Sequence, residues 1–198
     1  MESKTFDFAI IGAGIIGLSV AMKISSEIPN VSIVVLEKEQ KIASHQTGHN
    51  SGVIHAGIYY APGSQKASFC YSGSKALRNY CEVKEIPFEM VGKLIIATDK
   101  SELSALDELF RRGSENGVDG LRMVDKDEIG SIEPHSAGIR GIFSPNTGII
   151  DYKAVTQSYA EDFKDLVGEI VLDANVTDIY RSSEKIIIES SKRDFSAK

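Results

Sequence analysis

Apolar residues along the chain fall into two kinds of run. Phe8–Ile11 and residues 31–36 are short and continuous, as strands buried on both faces of a sheet are. Between them, residues 15–28 read as an amphipathic helix that ends at Pro29-Asn30, a breaker and turn pair. The first forty residues are therefore expected to form a βαβ unit. Residues 41–65 lose periodicity and are rich in glycine, histidine and small side chains, and connecting segments of that length are commonly functional. A helix is expected over residues 66–82, with Phe69, Cys70, Ala76, Leu77 and Tyr80 turned inward, followed by a strand over residues 92–98. Asp99, with Glu102 three residues on, forms a capping box for a second helix whose apolar face is Leu103, Leu106, Leu109 and Phe110. Residues 125–129 predict a short helical turn and residues 139–143 a strand, and Asp151 caps a helix running to about Val167. Residues 169–176, 178–181 and 185–189 alternate or run apolar as strands do, and residues 190–198 are a polar tail. The class is α/β with an α+β piece inserted between about residues 85 and 145.

Composition narrows the picture only slightly. The 198 residues are 42% hydrophobic and 25% charged, as in ordinary globular proteins. Lys and Arg total 22 against 28 for Asp and Glu, giving a net charge of −6 and no basic stripe, so nucleic acid is not an expected partner. No apolar stretch approaches the roughly 18 residues that span a bilayer. The first strand starts near residue 5, leaving no room for a signal or transit peptide. A cytoplasmic location is expected by default, and peripheral contact with a membrane is compatible with it. Cys70 and Cys81 have no metal-ligand spacing and read as reduced thiols.

The first chemistry-bearing motif is Gly12-Ala13-Gly14-Ile15-Ile16-Gly17, directly behind the first strand. One glycine permits the tight turn, one lets backbone approach a pyrophosphate, and one allows helix and strand to pack closely. Phosphate would rest on the helix N-terminus, so Ile15 and Ile16 join Gly12, Gly14 and Gly17 as cofactor-binding candidates. Glu37 closes the second strand 20 residues after the last glycine, with Lys38 beside it. A carboxylate there accepts from ribose hydroxyls and disfavours a 2′-phosphate, which points to NAD or FAD and not NADP.

The second motif runs from His45 to Tyr60 and separates FAD from NAD. A plain nicotinamide dehydrogenase would continue into another helix and parallel strand. Here a polar loop follows, in which Gly48 and Gly52 permit close approach and Thr47, Asn50 and Ser51 offer hydrogen bonds, as a flat polar ring would need.

Together with Glu37-Lys38, the run Asn50-Ser51-Gly52-Val53-Ile54-His55-Ala56-Gly57-Ile58-Tyr59-Tyr60 resembles the FAD-dependent L-2-hydroxyglutarate oxidase/dehydrogenase family, within the D-amino-acid-oxidase-like flavoproteins. Pro62-Gly63-Ser64, Gly92-Lys93-Leu94-Ile95-Ile96-Ala97-Thr98, Glu133-Pro134 and Thr147-Gly148-Ile149 with Asp151 extend the resemblance over residues 5–190. It implies an FAD-binding Rossmann-like domain (residues 1–84) interrupted by a substrate-domain segment (85–145) and resumed over 146–198. It also implies oxidation of L-2-hydroxyglutarate, or a similar small 2-hydroxy acid, to the 2-oxo acid by hydride transfer to flavin N5. Val176, in the resumed part, joins the cofactor-binding set. The electron acceptor would be oxygen or a quinone.

His55 is the candidate base for the hydroxyl proton, because imidazole titrates near neutrality; an equally weighted reading has it only hydrogen-bonding flavin or backbone. His45 and His49 suit positioning or exposure, and His135 a structural turn. A dicarboxylate needs cations. Lys66, Lys93 and Arg78 are available and spacing selects none of them; Lys66 and Tyr60 are taken as substrate-binding. Relatives with this signature continue into further strands and a second glycine-rich segment, so a chain supplying that C-terminal half is an expected partner. Other readings stay open: a flavoenzyme of the glycerol-3-phosphate dehydrogenase or amino-acid oxidase kind, a non-catalytic nucleotide-binding or interaction fragment, and a NAD-dependent dehydrogenase, against which the loop from His45 to Tyr60 argues.

Overall fold

The computed structural model describes residues 4–198, which divide into two compact units, one made of residues 4–51 together with Tyr152–Lys198, the other Gly52–Asp151. The first unit opens with β1 (Thr5–Phe6), β2 (Phe8–Ile11), α1 (Ile15–Glu27) and β3 (Ile33–Leu36). Asp7 separates the first two strands because its carboxylate is tied sideways, accepting from the Ser32 N–H at 2.9 Å and the Ser32 hydroxyl at 2.7 Å.

The second unit contains β4 (Val53–Ile54), α2 (Gln65–Val83), β5 (Phe88–Glu89), β6 (Lys93–Ala97), α3 (Leu103–Glu115), β7 (Arg122–Asp125), α4 (Lys126–Ile132), β8 (Arg140–Ser144) and β9 (Gly148–Ile150). β8 pairs antiparallel with both β6 and β7, and β9 pairs with both β4 and β5. Leu106, Ala97 and Ile142 form a core on which Leu103, Leu109 and Phe110 pack, as the apolar face of α3 predicts. Asp99 does cap, but a short 3-10 turn (Lys100–Glu102) precedes the α-helix, and the Glu102 carboxylate reaches back to the Thr98 N–H at 2.7 Å. On α2 the expected inward face is corrected: Phe69 and Ala76 are exposed, while Ala67 and Cys81 are buried. Isolated apolar residues in a largely polar helix gave no continuous stripe from which to fix its rotation.

The chain returns through α5 (Tyr152–Asp165), which begins directly after Asp151, and then β10 (Glu169–Val171), β11 (Val176–Ser182), β12 (Lys185–Ser190) and β13 (Phe195–Ala197). One parallel sheet has the order β10-β3-β2, and a second sheet has the order β1-β13-β12-β11. The side chains of β3 alternate between two cores. Ile33 and Val35 pack with Leu18, Ala21, Ala160 and Phe163 of the two helices, and Val34 and Leu36 pack with Phe6, Ile188 and Phe195. That double burial is why its sequence runs apolar without a polar alternate. β2, at the sheet edge, leaves Phe8 and Ile11 exposed.

Two sequence expectations change in the return segment. Residues 169–176 are not one strand, because Asp173 turns with φ of 55° and hands its N–H to the Glu39 carbonyl at 3.1 Å, while the Ala174 N–H goes to the Glu37 carbonyl at 2.8 Å. The tail is not simply polar: β13 inserts between β1 and β12 and buries Phe195, Ser196 and Ala197. The unit boundaries also differ from those drawn at 84/85 and 145/146, because β4 and β9 pair and carry the surrounding segments into the second unit.

Candidate functional site

In the first unit the glycine turn is built as its sequence requires. Gly12 has φ of +101°, a conformation that side-chain-bearing residues rarely adopt, and its N–H is held by the Leu36 carbonyl at 2.8 Å. At Gly17 a Cβ would lie 2.1 Å from the Gly12 carbonyl oxygen, so α1 rests on the turn with no room for a methyl group. No side chain of Gly14 caps α1; instead the Thr47 hydroxyl accepts the Ile15 N–H at 3.0 Å. Thr47 thereby anchors the polar loop to the helix start.

Glu37 is buried. Its carboxylate accepts the Ala13 N–H at 2.7 Å and the Glu39 N–H at 3.0 Å, one bond on each oxygen. A carboxylate offers about four acceptor sites, so both oxygens retain capacity for another donor. The loop is closed by the Ala43 N–H on the Ala13 carbonyl at 3.1 Å.

These elements surround a cavity of about 360 Å³, in the range of small-molecule sites. Of the residues expected from sequence, Gly12, Gly14, Glu37, Lys38, Thr47 and Val176 line it. Ala43, Ser44, His45, Gln46, Ala174 and Asn175 also line it and were not singled out as cofactor contacts. Ala43 and Ser44 had only a loop assignment to mark them, His45 and Gln46 open the second motif without being assigned to the cofactor, and the last two depend on the Asp173 turn, which no periodicity reveals. Ile15, Ile16, Gly17, Gly48, Asn50 and Ser51 lie outside the lining. Gly48 is a packing glycine, since a Cβ there would meet the Ala43 carbonyl at 2.6 Å. Asn50 donates to the Thr47 carbonyl at 2.6 Å and stiffens the loop. His45 Nε2 meets the Glu39 carboxylate at 2.7 Å, and His49 Nδ1 meets the His45 carbonyl at 2.8 Å, so both histidines organise the loop.

In the second unit, Gly52 has φ of +63° and its carbonyl accepts the Ile150 N–H at 2.8 Å. His55 follows β4 as a partly exposed residue, flanked by the buried Ile54 and Ala56. The segment behind it is rigid, because Asn116 Nδ2 donates to both the Gly57 and Tyr60 carbonyls, at 3.0 and 2.9 Å. The Lys93 ammonium lies 4.5 Å from the centroid of the Tyr59 ring, a cation–π contact. Partial burial first, and the Lys93 charge second, hold the His55 pKa below its ordinary 6.5. Both effects favour the neutral imidazole, the form able to accept a proton. Lys66 is exposed on the first turn of α2, and Arg78 Nε donates to the Ser74 carbonyl at 3.4 Å. His135 sits in a turn where its own N–H meets the Glu133 carboxylate at 3.1 Å.

A family model described as FAD dependent oxidoreductase matches residues 7–195. The chain belongs to that family. Its FAD requirement agrees with the cofactor expected from the glycine turn and the loop behind it. L-2-hydroxyglutarate dehydrogenase of Indibacter alkaliphilus is 45% identical over 191 residues, covering 96% of this chain and 48% of that protein. The mitochondrial L-2-hydroxyglutarate dehydrogenase of Homo sapiens is 43% identical over 183 residues, covering 92% of this chain and 40% of that protein. The chain thus spans about half the length of the curated relatives it matches or less. Among solved structures, L-alpha-glycerophosphate oxidase from Mycoplasma pneumoniae with FAD bound superposes with a TM-score of 0.89 at 24% identity, over 98% of this chain and 52% of that one. Glycine oxidase from Geobacillus kaustophilus superposes with a TM-score of 0.83 at 19% identity, over 98% of this chain and 53% of that one. At those identities the shared property is the fold. Among the described residues no helix is long and apolar enough to cross a membrane.

Proposed function

We propose that this chain is the amino-terminal half of an FAD-dependent enzyme that oxidises L-2-hydroxyglutarate, or a closely similar 2-hydroxy acid, to the 2-oxo acid. The observation that carries the substrate is the 45% identity to an L-2-hydroxyglutarate dehydrogenase across 96% of the chain. The first unit supports the cofactor's place. Its cavity combines a glycine turn in which Gly12 takes φ of +101° and Gly14 lies close to the Thr47 hydroxyl, a helix start beside it, and the buried Glu37 with spare acceptor capacity. Those features suit an adenosine diphosphate group: Glu37 for the ribose hydroxyls, Gly12 and Gly14 for the pyrophosphate, and Ala174 to Val176 as the opposite wall.

When bound, the flavin supplies the hydride acceptor. The chain's own groups do the rest. His55 takes the proton of the substrate hydroxyl, and its depressed pKa keeps the imidazole in the accepting form at neutral pH. Asn50, Ser51 and Gly52 remain assigned to the ring-facing stretch, and Tyr60 and Lys66 to the substrate. Oxygen or a quinone accepts the electrons. A further chain, or chain segment, supplying the remaining half of the fold is supported by the exposed Phe8 and Ile11 on edge strand β2. A reducing compartment, cytoplasm or mitochondrial matrix, suits two free cysteines whose thiol pKa values burial pushes up.

The test is reduction of bound flavin by L-2-hydroxyglutarate under anaerobic conditions, in the protein joined to its remaining half. Bleaching by the L-acid with recovery of 2-oxoglutarate supports the assignment. A flavin that stays oxidised with the L-acid but bleaches with glycerol 3-phosphate or an amino acid overturns it.

A further inference from the structure

Resting on the reading above, we infer that Lys93 is the specificity-determining cation that receives the second carboxylate of a dicarboxylic 2-hydroxy acid, with Tyr59 holding its ammonium in place beside His55. Sequence spacing left Lys66, Lys93 and Arg78 equivalent, and the structure separates them. Lys93 opens β6 opposite Ser144, and the residue before it is fixed by need: Gly92 has φ of +76°, and a Cβ there would lie 2.8 Å from the Phe143 ring. Its N–H is further held by the Thr147 carbonyl at 2.9 Å. The Lys93 side chain is then directed over Tyr59, 4.5 Å from the ring centroid, and its charge is felt by His55.

Among the described residues Lys93 makes no ion pair within 4 Å, and the contact it makes is with the neutral Tyr59 ring. An aromatic face restrains a lysine without neutralising it, which leaves its N–H donors for an anion. Lys66 is exposed on the first turn of α2, and Arg78 spends a donor on its own helix. A protein of net charge −6 does not steer a dianion by its overall field, so attraction has to come from a local fixed cation. A 2-hydroxy acid with its hydroxyl at His55 carries one carboxylate next to the reacting carbon and, if dicarboxylic, a second a few bonds away. Lys93, with its ammonium over Tyr59 and its charge acting on His55, is placed to read the second.

The test compares binding of 2-oxoglutarate and 2-oxobutyrate, which differ in that second carboxylate, by perturbation of flavin absorption in the FAD-loaded protein. Lys93→Met is expected to weaken 2-oxoglutarate about 10- to 100-fold, the loss of one charge-assisted contact, and to leave 2-oxobutyrate little changed. Lys93→Arg is expected to restore most of the loss, and thermal unfolding of both variants should match the parent. In the cofactor-free protein, Lys93→Met should raise the NMR titration midpoint of His55. Equal weakening of both acids, or of neither, overturns the assignment of Lys93 while leaving the enzyme's reading intact. A parent protein with no preference for the dicarboxylate overturns the substrate reading and this inference with it.

Discussion

Glu37 carries two duties with one carboxylate, fastening the glycine turn through Ala13 and facing the cavity. Glu37→Gln keeps the shape but turns an amide N–H toward a backbone donor, so unfolding in denaturant should show a loss of about 1–3 kcal/mol. Gly17→Ala places a methyl carbon where the Gly12 carbonyl oxygen already stands, 2.1 Å away, and should cost about 3 kcal/mol by the same measurement. His55 should titrate by NMR with a midpoint below 6.5. The sign follows: because the folded pKa is depressed, the neutral imidazole contributes stability that is present above the unfolded value and is lost as pH falls through the folded one. A midpoint at or above 6.5 would contradict both the burial and the Lys93 neighbour.

At the scale of elements, β13 is the least expected and the most telling. Three residues between a polar turn and the last residue hold the middle of a four-stranded sheet, and Phe195 is 3% exposed. Phe195→Ala should therefore destabilise the first unit by about 3–5 kcal/mol, read by circular dichroism during thermal unfolding. Much of the remaining fold was legible in the residues. The βαβ start, the apolar face of α3 and the hairpin strands β11 and β12 each have enough periodic positions to declare themselves. What stayed hidden has a common physical origin. β1, β4 and β13 are two or three residues long, too short for alternation to register, and they exist because distant strands pair with them. The break at Asp173 is held by carbonyls of Glu37 and Glu39, far away in sequence, and the residues just after it, Asn175 and Val176, line the cavity. The glycine motif was readable because its chemistry is local; the loop contacts of Ala43 to Gln46 were not, because they follow from how the loop folds back on Ala13.

For the whole molecule, acid should be the first stress to act. Asp7, Asp99, Glu102 and Glu108 all have carboxyls held below their ordinary values, Asp7 chiefly by Lys198 and then by Ser32, and Glu108 at about 2 by Arg111 and Arg112. Groups with depressed folded pKa values contribute stability above pH about 4 that is lost as pH falls below it. Asp7 joins the first strands to residue 198, so Asp7→Asn should lower stability at neutral pH and flatten the acid limb of the unfolding curve. An acid limb identical to the parent's would show that this tie contributes nothing.

The central claim is that the cavity beside the glycine turn holds the adenosine diphosphate part of FAD. Titration of the purified protein with FAD, followed by flavin fluorescence and repeated with ADP as competitor, tests it most directly. Saturable binding that ADP displaces, weakened at least about tenfold by Glu37→Ala, is the predicted result. A folded protein that binds neither ligand, or binds FAD with the same affinity after Glu37→Ala, would contradict it.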